Sequence, residues 1–231
     1  MPFQTRNSIF SYLTLTYKYV IIQYIIPGMI KERMMRLLII RHGESAADLL
    51  DVHEGRADFE LTERGHSQAI AMSEYIGEHY RISKIYHSTL KRAAQTAAHL
   101  SAATQAPLFP EDNLMEFNNG LIAGLDRKVV EEKYPEKPVP LHTSIYEQES
   151  MLEFRYRAEY MLSKLLSEND EEETIAVVTH GGMINQLYRA FFRLPIDAEH
   201  FFYTGDTGIH EWVISGCTRC VARANYLGHI E

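Results

Sequence analysis

The chain is poor in the features that would place it in several large protein classes. It has only two cysteines in 231 residues, Cys217 and Cys220. No disulfide framework can therefore hold the fold together, and a reducing compartment, the cytoplasm, is the expected location. Positive charge is not in excess: 23 Lys and Arg stand against 31 Asp and Glu, for a net charge of −8. Phosphate backbones are bound by basic patches, so nucleic acid is not an expected partner. A long apolar run is also missing. The densest one, Tyr19 to Ile26, is interrupted by Gln23 and stopped by Pro27-Gly28, well short of the ~20 residues that a membrane-spanning helix needs. No small-residue cleavage site accompanies it, so neither secretion nor stable membrane insertion is expected.

What is present fits a folded domain. The apolar fraction of 45% and charged fraction of 23% lie near globular averages, which excludes disordered and fibrous classes. Residues 1–33 stand apart. They are rich in Tyr and Ile and carry Arg6, Lys18, Lys31 and Arg33 against Glu32 alone. They read as an N-terminal extension, disordered or arising from an over-long start ahead of Met34, with a weak interfacial anchor as the alternative. The domain is expected to span 34–231.

From Met35 onward strand and helix patterns alternate. Leu37-Leu38-Ile39-Ile40 is a short continuous apolar run of the kind buried on both faces of a sheet. Thr62 to Tyr80 has helical spacing, with Ala69, Met72, Ile76 and Tyr80 on one stripe. Ile82 to Tyr86 predicts a second strand, Leu90 to Ala103 an Ala-rich helix, and Pro107 to Asp126 a loop. Met151 to Leu166 predicts a long amphipathic helix on which Tyr156, Tyr160 and Met161 are expected in the core. Thr174 to Val178 predicts a third strand and Met183 to Phe192 a further helix. Ile209 to Ile214 and Val221 to Tyr226 flank Gly216 as a terminal hairpin. The alternation predicts an α/β fold: a mostly parallel central sheet flanked by helices.

In such sheets ligands bind beyond the carboxyl ends of the strands. The first strand runs into Arg41-His42-Gly43-Glu44-Ser45, and the third into Thr179-His180-Gly181-Gly182. The glycines allow close backbone approach, and Gly181-Gly182 opens a helix whose amides favour an anion. Two histidines and an arginine converging on one sheet edge describe a pocket for an anionic substrate.

These residues carry a resemblance. Arg41-His42-Gly43-Glu44-Ser45 is similar to the signature of the histidine phosphatase superfamily, the phosphoglycerate-mutase-like fold. Gly55, Asp58, Leu61-Thr62 and Gly65 continue that pattern. So do Ser88-Thr89-Leu90-Lys91-Arg92-Ala93 with Gln95-Thr96-Ala97, Leu114-Met115-Glu116 with Gly120 and Gly124, and Thr179-His180-Gly181-Gly182. The resemblance implies a histidine acid-type phosphatase acting on a small phosphorylated substrate. His42 would be the nucleophile forming a phosphohistidine. Arg41, Arg92 and His180 would neutralise the phosphoryl oxygens. Glu116 would protonate the leaving oxygen and then deprotonate water. Ser45, Asp48, Gly55 and Gly181 would contact the substrate. No cofactor is implied and no metal, because the arginines supply the charge.

One position departs from the family pattern: Asp48 stands where asparagine is common. A carboxylate there repels an anion unless it is protonated or turned toward a cation such as Arg56. Cys217-Thr218-Arg219-Cys220 is a lone CxxC and reads as ordinary hairpin sequence. Asp206-Thr207-Gly208 and His210 read as a structural turn, with a place at the border of the pocket as the alternative. The short interval between Glu116 and His180 favours a phosphatase. A cofactor-dependent phosphoglycerate mutase, or a catalytically silent phosphate-binding relative, is the alternative. The specificity surface is expected from Asn118 to Ile145 and the long helix. No sequence feature specifies an oligomeric state.

Overall fold

The computed structural model describes residues 34–230. The expectations for residues 1–33 fall outside the described residues. In chain order the elements are β1 (Met35–Arg41), α1 (Ala46–Leu50), α2 (Glu63–His79), β2 (Lys84–His87), α3 (Lys91–Thr104), β3 (Leu108–Pro110), α4 (Arg127–Lys133), α5 (Met151–Ser167), β4 (Thr174–Thr179), α6 (Gly181–Phe191), β5 (Ile209–Ser215) and β6 (Thr218–Tyr226). Two single-turn 3₁₀ helices, Asp112–Leu114 and Gly120–Ile122, lie between β3 and α4.

The strands form a six-stranded sheet in the order β3-β2-β4-β1-β5-β6. The β3-β2, β2-β4 and β4-β1 pairs are parallel, and β5 and β6 are added antiparallel. Every residue of the Leu37-Leu38-Ile39-Ile40 run is fully buried, because helices cover both faces of the sheet. Leu37 and Ile39 point into one core with Val177, Trp212, Met161 of α5 and Leu187 of α6. Leu38 and Ile40 point into the other with Val178, Met72 and Ile76 of α2, and Ala97 and Leu100 of α3. Full burial of each such side chain stabilises by ~1.5–3 kcal/mol, so β1 anchors both halves.

Local signals set the helix starts. Thr62 accepts the Gly65 N–H at 2.9 Å and begins α2. Ser150 and Glu153 form a capping box at the start of α5, with Ser150 N–H donating to Glu153 at 2.7 Å and Glu153 N–H donating to Ser150 at 3.2 Å. Leu90 offers α3 no cap, and Asp58 supplies one from a distance by accepting the Lys91 N–H at 2.7 Å.

Three expectations are corrected. The stretch read as a loop contains β3, an exposed edge strand ending in Pro110, which β2 recruits by pairing Ile85 with Leu108. The short helices α1 and α4 carried no periodic signal long enough to detect. On α5, Met161 is buried as expected, but Tyr156 and Tyr160 face solvent.

Candidate active site

Three adjacent parallel strands, β2, β4 and β1, end at the same sheet edge and deliver their following residues to one place. Arg41 is in register with Thr179, so His42 and His180 each lie one residue beyond a paired position. The His42 N–H donates to the Thr179 carbonyl at 3.0 Å, and the Ser88 N–H donates to the Val178 carbonyl at 3.0 Å.

His42 is buried, and its Nδ1 lies 2.7 Å from the Gly43 carbonyl oxygen. A carbonyl only accepts, so Nδ1 carries the hydrogen and Nε2 presents its lone pair. The Nε–H of Arg92 donates to that Nε2 at 3.2 Å. Burial above all, then the charges of Arg92 and Arg41, hold His42 well below the usual histidine range, with the Gly43 bond pulling the other way. The imidazole is therefore neutral at neutral pH.

His180 caps α6 with its ring 5.0 Å from that of His42, centroid to centroid. Its Nε2 lies 2.7 Å from Ser88 Oγ, while Nδ1 is buried without a partner. Burial, then Arg92, His42, Arg41 and Arg157, push it well below the usual range too. The sequence suggests His180 as a source of positive charge. In this environment it is a neutral hydrogen-bonding group instead.

Arg92 is fully buried. Its Nη2 donates to the Gly55 carbonyl at 2.8 Å and its Nη1 to the Ala57 carbonyl at 3.0 Å. Gly55 holds this loop in shape with φ +47°, and a Cβ there would run into the Asn119 side chain. Arg41 donates from Nη1 to the Thr204 carbonyl at 2.9 Å, and its Nη2 lies 3.4 Å from Asp206 and 3.9 Å from Asp48. The Nε of Arg41 is buried and unpartnered.

Asp48 does not turn toward Arg56. It accepts the Ser45 N–H at 2.8 Å and lies 3.2 Å from Ser45 Oγ, closing back on the start of α1. Arg56 instead donates from Nε to the Glu116 carbonyl at 3.3 Å and lies 3.7 Å from Glu149.

Glu116 is held at both oxygens, accepting from Phe117 N–H at Oε1 and from Gly182 N–H at Oε2, each at 2.8 Å. A side chain on Gly182 would collide with this carboxyl, whereas the space beside Gly181 is open. The crowded glycine of the pair is thus Gly182. Behind the loop, Arg157 of α5 donates to the carbonyls of Asn113, Met115 and Glu116 at 2.9, 2.8 and 3.2 Å, and pairs with Glu149 at 2.6 Å.

Two participants, Glu54 and Arg157, escaped the sequence reading, and a third, Asp206, was read first as part of a turn. Glu54 lies 3.2 Å from Arg92 and 3.9 Å from Nε2 of His42, and it accepts a hydrogen bond from Ser45 Oγ. Its only signal was adjacency to Gly55. Asp206 reaches Arg41 at 3.4 Å from a turn that is present as expected, with Thr207 at φ 54°. Arg157 looked like any charged residue of a long helix. His210 is structural, bonded to Tyr188 and Thr204.

Arg41, Asp48, Glu54, Gly55, Glu116 and Gly182 line a cavity of about 580 Å³, whereas His42, Arg92 and His180 are buried outside its lining. Phe117, Ile122, Val130, Tyr134 and Gln148 form its outer wall. An adjoining cavity of about 600 Å³ shares Phe117, Ile122, Tyr134, Glu136 and Gln148. The segment after Glu116 therefore builds the outer wall, whereas α5 contributes nothing to the lining and supports from behind. Among the described residues no three His, Cys, Asp or Glu side chains are grouped to hold a metal ion. No helix there is long and apolar enough to cross a membrane. Cys217 and Cys220 are exposed and unpaired.

Comparison with known proteins adds a second line of observation. Residues 37–226 match the model of the histidine phosphatase superfamily (branch 1). Phosphoserine phosphatase 1 of Hydrogenobacter thermophilus is 28% identical over 177 residues, 74% of this chain and 82% of that protein. Glucosyl-3-phosphoglycerate phosphatase of Mycobacterium tuberculosis is 26% identical over 175 residues, covering 71% and 78%. The solved structure of Bacillus stearothermophilus YhfR shares the fold, with a TM-score of 0.75 at 24% identity over 85% of this chain and 100% of that one.

Proposed function

This chain belongs to the histidine phosphatase superfamily, and from that premise we propose that it hydrolyses small phosphomonoesters through a phosphohistidine on His42. The observation that carries the reading is the state of His42. Its Nδ1–H is tied to the Gly43 carbonyl, its Nε2 lone pair accepts from Arg92 and lies 3.9 Å from Glu54 of the pocket lining, and burial keeps it unprotonated. That is the form a nitrogen nucleophile requires. Relatives named as phosphoserine phosphatase and glucosyl-3-phosphoglycerate phosphatase support a small phosphorylated substrate.

In the first step Nε2 of His42 bonds to phosphorus as the ester P–O bond breaks, and Glu116 gives its proton to the departing oxygen. In the second, water bonds to phosphorus, Glu116 takes the water's proton, and the N–P bond breaks to release inorganic phosphate. Arg41 and Arg92 carry the charge stabilisation that dominates phosphoryl transfer. His180, neutral and steadied by Ser88, offers a hydrogen bond to a phosphoryl oxygen. Ser45, Asp48, Gly55 and Gly181 belong to the binding surface, Asp48 and Gly55 through the arginines they hold. The reading calls on no metal or cofactor. It makes the protein an acid-type phosphatase, and the unpaired cysteines suit a reducing compartment such as the cytoplasm.

The test is a trapping experiment with a phosphoryl-labelled substrate. Wild-type protein should acquire an acid-labile, base-stable label and His42→Ala should not. Retention of the label in the variant would remove His42 from the role.

A further inference from the structure

Glu54 stands where the substrate must go. The groups that would receive a phosphoryl dianion are Nε2 of His42 and the guanidinium of Arg92. The Glu54 carboxyl lies 3.9 Å from the first and 3.2 Å from the second, braced by a hydrogen bond from Ser45 Oγ. A phosphoryl group within bonding reach of His42 would touch that carboxyl, and two anions cannot share the space. We propose that Glu54 is a proton-operated gate on the phosphoryl site: as the carboxylate it occupies the anion's place on Arg92, and as the neutral acid it donates a hydrogen bond to a phosphoryl oxygen.

The surroundings fit such a gate. From β1 and its exit, Arg41 and His42 face Glu54. Ser45 and Asp48 come from the start of α1 and Arg92 from α3, while His180 before α6 and the loop residues Glu116 and Asp206 are the other titratable groups of the site. The histidines are neutral, as argued above, so they add no charge near neutral pH. Arg41 is already matched by Asp206 at 3.4 Å and Asp48 at 3.9 Å. The pocket therefore has little spare positive charge for both Glu54 and an arriving dianion. Glu54 is shifted upward, chiefly by burial and further by Asp48, while Arg92, Ser45 and Arg41 oppose the shift. A carboxyl biased toward its acid form, with a serine beside it, can take up a proton as the anion binds. Substrate binding then carries proton uptake.

The inference rests on the phosphohistidine reading, and its test keeps the two separable. Sulfate is the probe, because it stays a dianion between about pH 5 and about pH 8 and so contributes no titration of its own. Its affinity is measured across that range for wild type and Glu54→Gln, which keeps the shape and hydrogen-bonding reach but cannot ionise. A charge within ~4–6 Å moves an ionisation by about 1–3 units, and linkage transfers the same ten- to thousand-fold to anion binding. Wild type should lose affinity as the pH rises, whereas Glu54→Gln should bind sulfate at least about tenfold tighter at the alkaline end, with a flattened profile. Parallel profiles in two proteins that both form the His42 label would overturn the gate and leave the function standing. Absence of the label from both would overturn the function and this proposal with it.

Discussion

The imidazoles of His42 and His180 lie with ring centroids 5.0 Å apart, close to the ~4.8 Å spacing of neighbouring strands. That match follows from register. Arg41 pairs with Thr179, so the next residue of each strand emerges at the same level of the sheet edge. Ser88, leaving β2 on the far side of β4, completes the row by bonding to His180. Two histidines remote in sequence thus become a fixed pair in one buried setting, which keeps both neutral.

Glu116 should matter most where the leaving group is poor. Glu116→Gln should depress turnover of alkyl phosphates far more than of nitrophenyl phosphate, whose departing oxygen scarcely needs a proton. General-acid help is typically worth ~10²–10⁴ in rate, and the gap between substrates should widen by a large part of that factor. Gly182→Ala, which pushes the same carboxyl aside, should reproduce the selectivity. Equal losses on both substrates would leave Glu116 as scaffold.

Arg157 is expected to govern stability and the acid loop together. It is buried against Glu149 and holds the carbonyls of Asn113, Met115 and Glu116 in that loop. Removing one partner of a buried pair typically costs about 3–5 kcal/mol, because the other charge stays buried. Arg157→Met should lower the urea midpoint accordingly, and adding Glu149→Gln should restore part of the loss. A double variant as unstable as the sum of the two single ones would show that the pair is not coupled.

Acid should destabilise the fold through buried neutral histidines. His210 accepts the Asn225 N–H at Nδ1, 3.2 Å away, and burial lowers its pKa to about 4. The unfolded chain binds a proton near pH 6.5 that the folded one refuses. Stability is therefore complete above that value and drains away as the pH falls toward 4. The gap corresponds to about 3 kcal/mol for His210, and His42 and His180 act in the same direction. Urea unfolding at about pH 7 and about pH 4.5 should show the loss. His210→Gln, though weaker at neutral pH, should lose less between the two.

Much of the fold was legible locally. The apolar run Leu37 to Ile40, the stripe Ala69-Met72-Ile76 and the hairpin around Gly216 each follow from period and turn chemistry acting within a few residues. The same holds for the polar residues that end β1 and β4, which announced His42 and His180. Asp48 shows the limit of this reading: its residue type is at odds with anion binding, but only the tertiary fold directs it to Ser45 and Arg41 rather than Arg56. Edge strand β3 was hidden for a related reason, since its three exposed residues become a strand only because β2 offers them a partner.

The sequence by itself determined the main strands and helices, the sheet-covering cores and the candidate nucleophile His42, because these depend on short-range pattern and on a motif contiguous in the chain. Tertiary structure alone decided the electrostatic state of the pocket. Glu54 against Arg92, Asp206 against Arg41 and Arg157 behind Glu116 are pairings between segments far apart in sequence. Charge interactions depend on distance and burial, and neither is encoded in the spacing of residues along the chain.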